Sequence, residues 1–453
     1  MSGIPTPKFV LRGHGAAVHA ASFVRQNARL ATGDAEGFVV LWDLVVMRAT
    51  AVWRAHRNAI LGVRGWGDDK VMTHGRDHRL VVWKIAEQDE SHLSSALPLE
   101  GLAVHRPQPW MLHLLEVNTM NFCSFAACPS SSTEYSRFLG PVSEVLVAVP
   151  NTLASEAVDI YTLPSQKRTH TVQPGSANGM AMGLCLFHQH GLLTLLAAFE
   201  NGYVSVHQLQ PTGGWATAYR ARAHSQPVLS VDVRPDLSCF YSAGADSVIA
   251  KHPLPVATPA ASPETPGPSS PAERVAEEAA AAGSQGASLL SQALLDEARG
   301  NRRTEPPDSC CREPRKVVNT RHAGQQSLQV RSDGGILATA GWDSKVRIYS
   351  CKTLKELAVL KWHKQGAYAL AFSDVGAAEP RTAQAAGTGA CVDQGRMSVM
   401  DRRSHRVKIA HWVAAGAKDG KRSYTSEAIV AGLRRNSLLT KAEGAMKQYV
   451  KKD

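Results

Sequence analysis

One motif recurs along this chain and constrains its fold more than any other feature. The stretches "VMTHGRDHRLVVWK" (Val71–Lys84) and "LATAGWDSKVRIYS" (Leu337–Ser350) place a Thr, an Asp and an aromatic residue at the same offsets. Self-similarity of this kind is the sequence signature of repeat architectures. The recurring acid therefore belongs to a repeated structural unit.

Four copies of the unit share a His, a hydroxyl residue, an acid and an aromatic position. The His and the acid are separated by 22, 21, 22 and 21 residues in the four copies. In the third copy, His252 stands where the aromatic residue is expected. The members of the four sets are His14, Thr32, Glu36 and Trp42; His56, Thr73, Asp77 and Trp83; His224, Ser242 and Asp246; and His322, Thr339, Asp343 and Tyr349.

Short runs rich in Val, Ile and aromatic residues lie between these marks and are bounded by Gly, Asp or Asn turns, as β-strands are. Four strands per unit of about 40 residues, with "GH" early and "WD" late, is the WD40 blade pattern. The sequence therefore predicts an all-β fold, a seven-bladed WD40 β-propeller. The three further units are Glu144–Ser165, Gly191–Leu209 (with Asn201 in the acidic position and His207 in the aromatic one), and Leu360–Asp374 with Trp412–Lys421.

Each set predicts a polar network inside its blade. The acid lies in the turn between the second and third strands and forms a hydrogen bond with the His. The His in turn bonds the Thr or Ser hydroxyl. That hydroxyl also accepts a hydrogen bond from the Trp indole N–H. An unpaired polar atom inside a blade costs about 1–3 kcal/mol, so such a chain of bonds stabilises the fold. A His/Ser/Asp set also suggests nucleophilic catalysis. Because each set recurs, we interpret them as structural and expect no enzyme activity and no catalytic residue.

The chain also lacks the marks of a cofactor or metal site. It has eight Cys, none with the CxxC spacing of a zinc site, and no Gly-rich phosphate loop. We therefore expect no cofactor, no metal and no small-molecule substrate. The start "MSGIPTPKFV" lacks the apolar core of a signal peptide, and no run approaches the roughly 18 apolar residues of a membrane span. We expect no membrane association.

The sequence divides the chain into four parts, the last of which is a basic tail at residues 422–453. Residues 1–253 hold blades one to five, and residues 316–421 hold blades six and seven with an insertion at about 375–409. Residues 254–315 form a disordered Pro/Ala/Ser-rich insertion between blades five and six, because they cannot bury enough apolar surface to order themselves. Within it, Ser288–Gly300 has the leucine spacing of a transient helix or of a short helix that docks on a partner.

The two ends of the chain bear on closure of the ring. Phe9–Leu11 precedes the first inner strand, so we expect it to pair as the outermost strand of the last blade. The third strand of that blade is expected to be absent, because Thr425 stands where its aromatic should be and the chain then follows a helical period. Residues 422–453 are either a basic helix or a wrongly assigned exon, and closure of the ring is in doubt.

Charge leaves one alternative function open. The chain carries a formal net charge of +11, and its last segment, Lys421–Asp453, has eight Lys/Arg against three acids, which gives +5 of that total. Direct binding of nucleic acid through this tail is therefore an alternative, testable by truncation after Lys421. The rest of the chain has no basic stripe with interleaved aromatics, so we do not expect direct nucleic-acid contact as the main function.

The stretches "FVLRGHGAAVHAASF", "VPNTLASEAVDIYTLPS", "LATAGWDSKVRIY", "LAVLKWHKQGAYALAFS" and "VAAGAKDGK" together resemble a specific family. In this order they are similar to ASTRA-associated protein 1, a fungal WD-repeat protein related to the animal G-protein-beta-subunit-like protein. The resemblance implies a nuclear, non-enzymatic scaffold subunit of the ASTRA complex, with roles in chromatin regulation and in the stability of phosphatidylinositol-kinase-related kinases. A WD40 scaffold of another nuclear complex is the alternative. A true G-protein beta subunit is disfavoured, because "SGIPTPK" with its two prolines cannot form the N-terminal coiled-coil helix of those subunits.

Two further expectations concern individual side chains. Arg76 and Trp342 directly precede an acid of the repeat and are candidates for partner binding, although an exposed Arg and a Trp packed on its own blade would explain them equally well. We also expect Asp77→Ala to destabilise the protein more than Asp343→Ala. The reason is that the Tyr349 hydroxyl lies along a different axis from an indole N–H and should close its network less well.

Overall fold

The computed structural model describes residues 7–97, 99, 106–118, 122–131, 142–175, 178–255, 313–375, 398–418 and 426–432. In these residues the strands form seven four-stranded antiparallel sheets, the blades. The first strands of neighbouring blades pack side by side and surround a central channel. The prediction of an all-β propeller is confirmed.

The strands of the first four blades follow one another in chain order. Blade one contains β2 (Val18–Val24), β3 (Arg29–Asp34), β4 (Phe38–Asp43) and β5 (Arg48–Arg54). Blade two contains β6 (Ile60–Trp66), β7 (Lys70–Gly75), β8 (Arg79–Lys84) and β9 (Trp110–Glu116). Blade three contains β10 (Ala126–Pro129), β11 (Val145–Pro150), β12 (Val158–Leu163) and β13 (Lys167–Val172). Blade four contains β14 (Ala181–Gln189), β15 (Leu192–Phe199), β16 (Tyr203–Leu209) and β17 (Trp215–Arg222).

The last three blades contain the remaining strands, and blade seven also takes the first strand of the chain. Blade five contains β18 (Val228–Val233), β19 (Cys239–Gly244), β20 (Val248–Pro253) and β21 (Lys316–Asn319). Blade six contains β22 (Gln325–Val330), β23 (Ile336–Gly341), β24 (Val346–Ser350) and β25 (Glu356–Leu360). Blade seven contains β26 (Ala367–Phe372), β27 (Trp412–Ala417), β28 (Ser426–Gly432) and β1 (Phe9–His14). A 3-10 helix at Glu87–His92 and an α-helix, α1 (Val399–Ile409), complete the described elements.

The ring is closed by the two ends of the described chain. β1 is the outermost strand of blade seven and pairs with β28, with Phe9 opposite Val430 and Leu11 opposite Ala428. The prediction for Phe9–Leu11 is confirmed. The expectation that blade seven lacks its third strand is wrong, because β28 fills that place between β27 and β1.

The error has a physical source. The aromatic of other blades serves a polar network, and its absence at Thr425 does not prevent a strand from forming. Pairing with β27 needs only backbone N–H and C=O groups on an extended segment. Residues 426–432 of the predicted basic tail (422–453) form this strand and not a helix, and the remaining residues of the tail lie outside the described residues.

Two insertions interrupt blades within their sheets. The Pro/Ala/Ser-rich segment enters after β20 and leaves at β21, and β21 pairs with β20. The segment therefore lies inside blade five, before its outermost strand, and its placement between blades five and six was wrong. The outermost strand lies at the edge of its sheet, so a long insertion before it does not have to cross another strand. Residues 256–312, with the expected helix at Ser288–Gly300, lie outside the described part of the chain. The second insertion separates β26 from β27, as predicted.

Apolar faces of neighbouring sheets form the core. One cluster joins Val39 and Trp53 of blade one to Ile60 and Val63 of blade two. The sheets approach so closely there that a Cβ at Gly33 would lie 2.6 Å from Cγ2 of Ile60. Only glycine fits at this point. Among the described residues, no helix has both the length and the apolarity needed to cross a membrane.

The propeller has two faces that the strand directions define. The turns between second and third strands, such as Asp34–Gly37 in blade one, lie on the upper face. The turns between first and second strands, such as Arg25–Ala28, lie on the lower face, because antiparallel strands alternate direction. The acids of the repeat belong to the upper face, and α1, which connects β26 to β27, belongs to the lower face.

Candidate protein-interaction face

Blade two contains the complete predicted network beneath the upper face. His56 Nδ1 lies 2.8 Å from Asp77 Oδ1, and His56 Nε2 lies 2.8 Å from Thr73 Oγ1. Trp83 Nε1 donates to the same Thr73 oxygen over 2.9 Å. One arrangement of protons satisfies every atom: the indole donates to the hydroxyl, the hydroxyl to Nε2, and Nδ1–H to the carboxylate. The prediction for this set is confirmed.

The carboxylate of blade two also holds the loop that leads into the blade. Asp77 Oδ2 accepts from the Arg57 backbone N–H over 2.9 Å. Burial raises the pKa of Asp77, but the bonds from His56 and from the Arg57 N–H outweigh burial and leave that pKa below its ordinary value. The ionised form is therefore the one that this turn stabilises.

Blade one builds the same network with a different acid. His14 Nε2 lies 2.7 Å from Thr32 Oγ1, and Trp42 Nε1 donates to that oxygen over 2.8 Å. His14 Nδ1 contacts Asp34, at 2.8 Å, whereas Glu36 is exposed. The prediction of Glu36 as the network acid is wrong.

Asp34 takes this role because it occupies the position that is Gly75 in blade two. A Cβ at Gly75 would lie 2.4 Å from the His56 ring, so that position points directly at the buried His. Asp34 also accepts from the N–H groups of Glu36 and Phe38, each over 3.0 Å, and so shapes the turn. The "GD" pair immediately after Thr32 is the signal that sequence reasoning missed.

Blade five extends the network into the neighbouring blade. His224 lies 2.9 Å from Asp246 Oδ1 and 2.8 Å from Ser242 Oγ. His252 stands in the aromatic position, and its Nε2 lies 2.8 Å from the same Ser242 oxygen. Its Nδ1 lies 2.9 Å from the hydroxyl of Tyr219 on β17 of blade four. The predicted members of this set come together, and Tyr219 is an addition.

Burial explains why His252 serves as a neutral group. It lowers the pKa of His252 to about 3, with a smaller contribution from His224. The Tyr219 hydroxyl therefore donates to Nδ1, and Nε2–H donates to Ser242. In blade four, the predicted aromatic-position residue His207 contacts Ser205 Oγ at 2.7 Å and Thr217 Oγ1 at 3.1 Å.

Blade six does not form the predicted network. Asp343 contacts Arg347 with both oxygens, at 3.1 Å and 2.6 Å, whereas His322 Nδ1 lies 3.8 Å away and its side chain is 39% exposed. Within the described part of the chain, the buried hydroxyls of Thr339 and Tyr349 form no hydrogen bond of ordinary length and angle. The prediction that these four residues form one chain of bonds is wrong.

Two local features exclude His322 from the blade. Arg347 lies opposite Thr339, where blades one, two and five have Val40, Val81 and Ala250, and its buried guanidinium takes the place of an imidazole. His322 is also displaced by one residue. In each of these blades, a backbone carbonyl after the His accepts an N–H from the turn between the second and third strands. In blade six this carbonyl belongs to Gly324, two residues after His322. In blades one, two and five it belongs to Ala17, Ala59 and Pro227, three residues after the buried His.

The candidate partner-binding residues both lie on the upper face. The Arg76 guanidinium stacks 4.4 Å from the ring centroid of Phe122, which is 61% exposed. Trp342 packs on its own blade, because a Cβ at Gly324 would lie 2.2 Å from its ring, and its indole N–H donates to Gln326 over 2.9 Å. Trp342 nevertheless remains 49% exposed. Partner binding by Arg76 and Trp342 stays a prediction.

Phe122 also lines the central channel of the propeller. The channel encloses about 340 Å³ and is lined by the first strands of the blades. His19 and Tyr368 contribute edge-on rings 5.5 Å apart. In the part of the chain that the structure describes, no three His, Cys, Asp or Glu side chains cluster as metal ligands. The surface offers stacking, hydrogen bonding and positive charge.

Comparison with known proteins places the chain among relatives. The family model described as "WD domain, G-beta repeat" matches residues 5–43 and 315–350, which hold β1 to β4 and β21 to β24. The chain is 49% identical to ASTRA-associated protein 1 of Verticillium alfalfae, over 93% of this chain and 92% of the relative. The chain belongs to the ASTRA-associated protein 1 family.

Two further relatives of the same name match most of this chain at different levels of identity. The protein of the same name from Pyricularia oryzae is 47% identical over 92% of this chain and 96% of the relative. That of Schizosaccharomyces pombe is 31% identical over 82% of this chain and 94% of the relative. The matches therefore span nearly the whole length of these ASTRA-associated proteins.

Proposed function

We propose that the chain is a non-enzymatic scaffold subunit of the ASTRA complex. The observation that carries the proposal is the similarity to ASTRA-associated protein 1 over more than nine tenths of the chain. The polar networks support it, because the His, hydroxyl and acid groups bond one another inside blades one, two and five. Groups that hold a blade together are unsuited to turnover of a substrate.

The proposal includes a cellular role and a location. As the resemblance implies, the chain acts in the nucleus, in chromatin regulation and in the stability of phosphatidylinositol-kinase-related kinases. A scaffold serves such roles by holding several proteins in one assembly. A propeller suits this task, because its rigid blades present turns from seven directions.

We assign first contact with a protein partner to the upper face around Arg76, Phe122 and Trp342. Aromatic and Arg side chains are enriched at the energetic centres of interfaces. Half-exposed Trp342 offers an apolar ring on a fixed backbone, and Arg76 is pre-oriented by Phe122.

The experiment is affinity purification of the full-length protein from nuclear extract, followed by mass spectrometry. We expect other ASTRA subunits in the eluate of the wild type, and a clear loss of at least one of them with Trp342→Ala. Trp110→Ala is the matched control, because Trp110 is 74% exposed but lies on β9, the outer strand of blade two. Undiminished recovery with a folded Trp342→Ala variant would remove this residue from the interface, and absence of every ASTRA subunit would refute the proposal itself.

A further inference from the structure

Helix α1 is a preformed element on the lower face. Val407 is buried in the core that blades one and seven share. The indole N–H of Trp412 donates to the Val407 carbonyl over 3.1 Å, and Asn27 Nδ2 donates to the Lys408 carbonyl over 3.0 Å. Asn27 also bonds the Asp374 backbone through both its N–H and its oxygen. The carboxyl end of α1 is therefore fixed to the propeller.

The amino end of α1 is capped by its own side chains. Ser398 Oγ accepts from the Asp401 backbone N–H over 3.1 Å, and Asp401 Oδ2 accepts from the Ser398 N–H over 3.3 Å. This reciprocal pair is a capping box. It occupies the carboxylate of Asp401, the helix's single acidic residue.

The exposed surface of α1 is strongly basic. The helix "VMDRRSHRVKI" contains three Arg, one Lys and one His against one Asp. Arg402, Arg403 and Arg406 are all exposed. Lys8 adds a further cation near the carboxyl end, because its Nζ lies 4.8 Å from the ring centroid of Trp412. This surface attracts an anionic partner.

Apolar side chains stand on the same side of the helix as two of these cations. Val399, Arg402, Arg406 and Ile409 are spaced i, i+3, i+7 and i+10, which puts them along one stripe of the helix surface. Val399 is 64% exposed and Ile409 is 47% exposed. The stripe has an aliphatic residue at each end and positive charge between them, over a length of about 15 Å.

We propose that this stripe of α1 is the docking site for an acidic segment of a partner protein, with aliphatic residues that cover Val399 and Ile409. Charge selects an anionic occupant, and the two exposed aliphatic side chains favour a protein, because phosphate backbones are bound by polar and charged groups. The stripe lies on the face opposite Trp342. The inference therefore goes beyond the proposed function, and its test is independent of that proposal.

The test uses the full-length protein and a fluorescent helical peptide of Glu and Leu, about three turns long, with its binding measured by anisotropy at low and at physiological salt. We expect Arg402→Glu with Arg406→Glu to weaken peptide binding at least about tenfold. Val399→Ser with Ile409→Ser should also weaken it. Lys84→Glu with Lys167→Glu is the matched control, because both residues are exposed, lie on blades two and three, and give the same change of charge.

Three outcomes would overturn the inference. The first is that the wild type fails to bind the peptide, and the second is that the control pair weakens binding as much as the Arg pair. The third is that a labelled DNA duplex of similar length binds more tightly than the peptide and is insensitive to Val399→Ser with Ile409→Ser. That result would assign the helix to nucleic acid. Circular dichroism of each variant verifies that the propeller remains folded.

Discussion

Replacing Asp343 by Ala should destabilise the protein more than replacing Asp77 by Ala, which reverses the order expected from the sequence. The two acids occupy the same turn position but hold different partners. Asp77 holds the His56 ring through one bond, whereas Asp343 holds the Arg347 guanidinium through two. The Arg347 side chain is 2% exposed, so its charge has little access to water.

The magnitudes follow from what each substitution leaves behind. Asp77→Ala leaves the buried Nδ1–H of His56 without its acceptor, which costs about 1–3 kcal/mol. Asp343→Ala leaves a buried guanidinium that has lost its carboxylate, for which removal of one partner costs about 3–5 kcal/mol. Because the Asp343 side chain is 26% exposed and Glu356 lies 3.6 Å from Arg347 Nε, we expect the lower end of that range.

Urea unfolding followed by circular dichroism measures both variants, with the slope m checked so that midpoints compare stability alone. A second substitution distinguishes the causes. Arg347→Val in the Asp343→Ala background removes the stranded charge and installs the residue that blades one and two carry at this place, so it should recover stability. A smaller loss at Asp343 than at Asp77, or no recovery on adding Arg347→Val, would refute the reasoning.

Three further predictions concern other parts of the fold. Asp34→Ala should destabilise the protein by about 1–3 kcal/mol and Glu36→Ala by less than about 0.5 kcal/mol, and equal losses by thermal unfolding would contradict the assignment of Asp34. Burial lowers the pKa of His74 from 6.5 to about 3. Between these two pH values the His74 side chain is protonated in the unfolded chain and neutral in the folded chain. The free energy of unfolding therefore falls as the pH decreases below about 6.5. His74→Leu should flatten this fall by up to about 1.4 kcal/mol per pH unit, and an unchanged slope between pH 6.5 and 4 would contradict it. Truncation after Gly432 should keep the propeller resistant to protease. Truncation after Lys421 removes β28 and leaves β1 unpaired, so it should make blade seven sensitive to protease. Equal resistance of the two truncated proteins would contradict the closure of the ring by β1 and β28.

Repetition made the fold predictable, because each blade repeats the same alternation of strands and turns. The networks of blades two and five followed from spacing for the same reason. In blade one, spacing predicted the wrong acid, Glu36. Asp34 lies two residues closer to Thr32 and is the acid that contacts His14. Position along the chain does not by itself predict which acid contacts the buried His, because that contact depends on the direction in which each side chain points.

The remaining errors came from features that a repeat pattern does not contain. A matching separation of 21 residues suggested His322, but the loop before blade six shifts that residue by one, and Arg347 fills the space. The sequence signal of this difference is Arg347, a charged residue within the stretch "KVRIY". β28 lacks the aromatic of the pattern, and its place was recognisable only from its pairing with β1 and β27.

The native size of the protein in nuclear extract tests the central claim most directly. Size-exclusion chromatography with immunodetection of the full-length chain, at its natural abundance, distinguishes a subunit from a free protein. If the chain is a scaffold of the ASTRA complex, it elutes together with other ASTRA subunits, far above its own mass of 48.7 kDa. Elution of all the protein as a 48.7 kDa monomer would contradict the account.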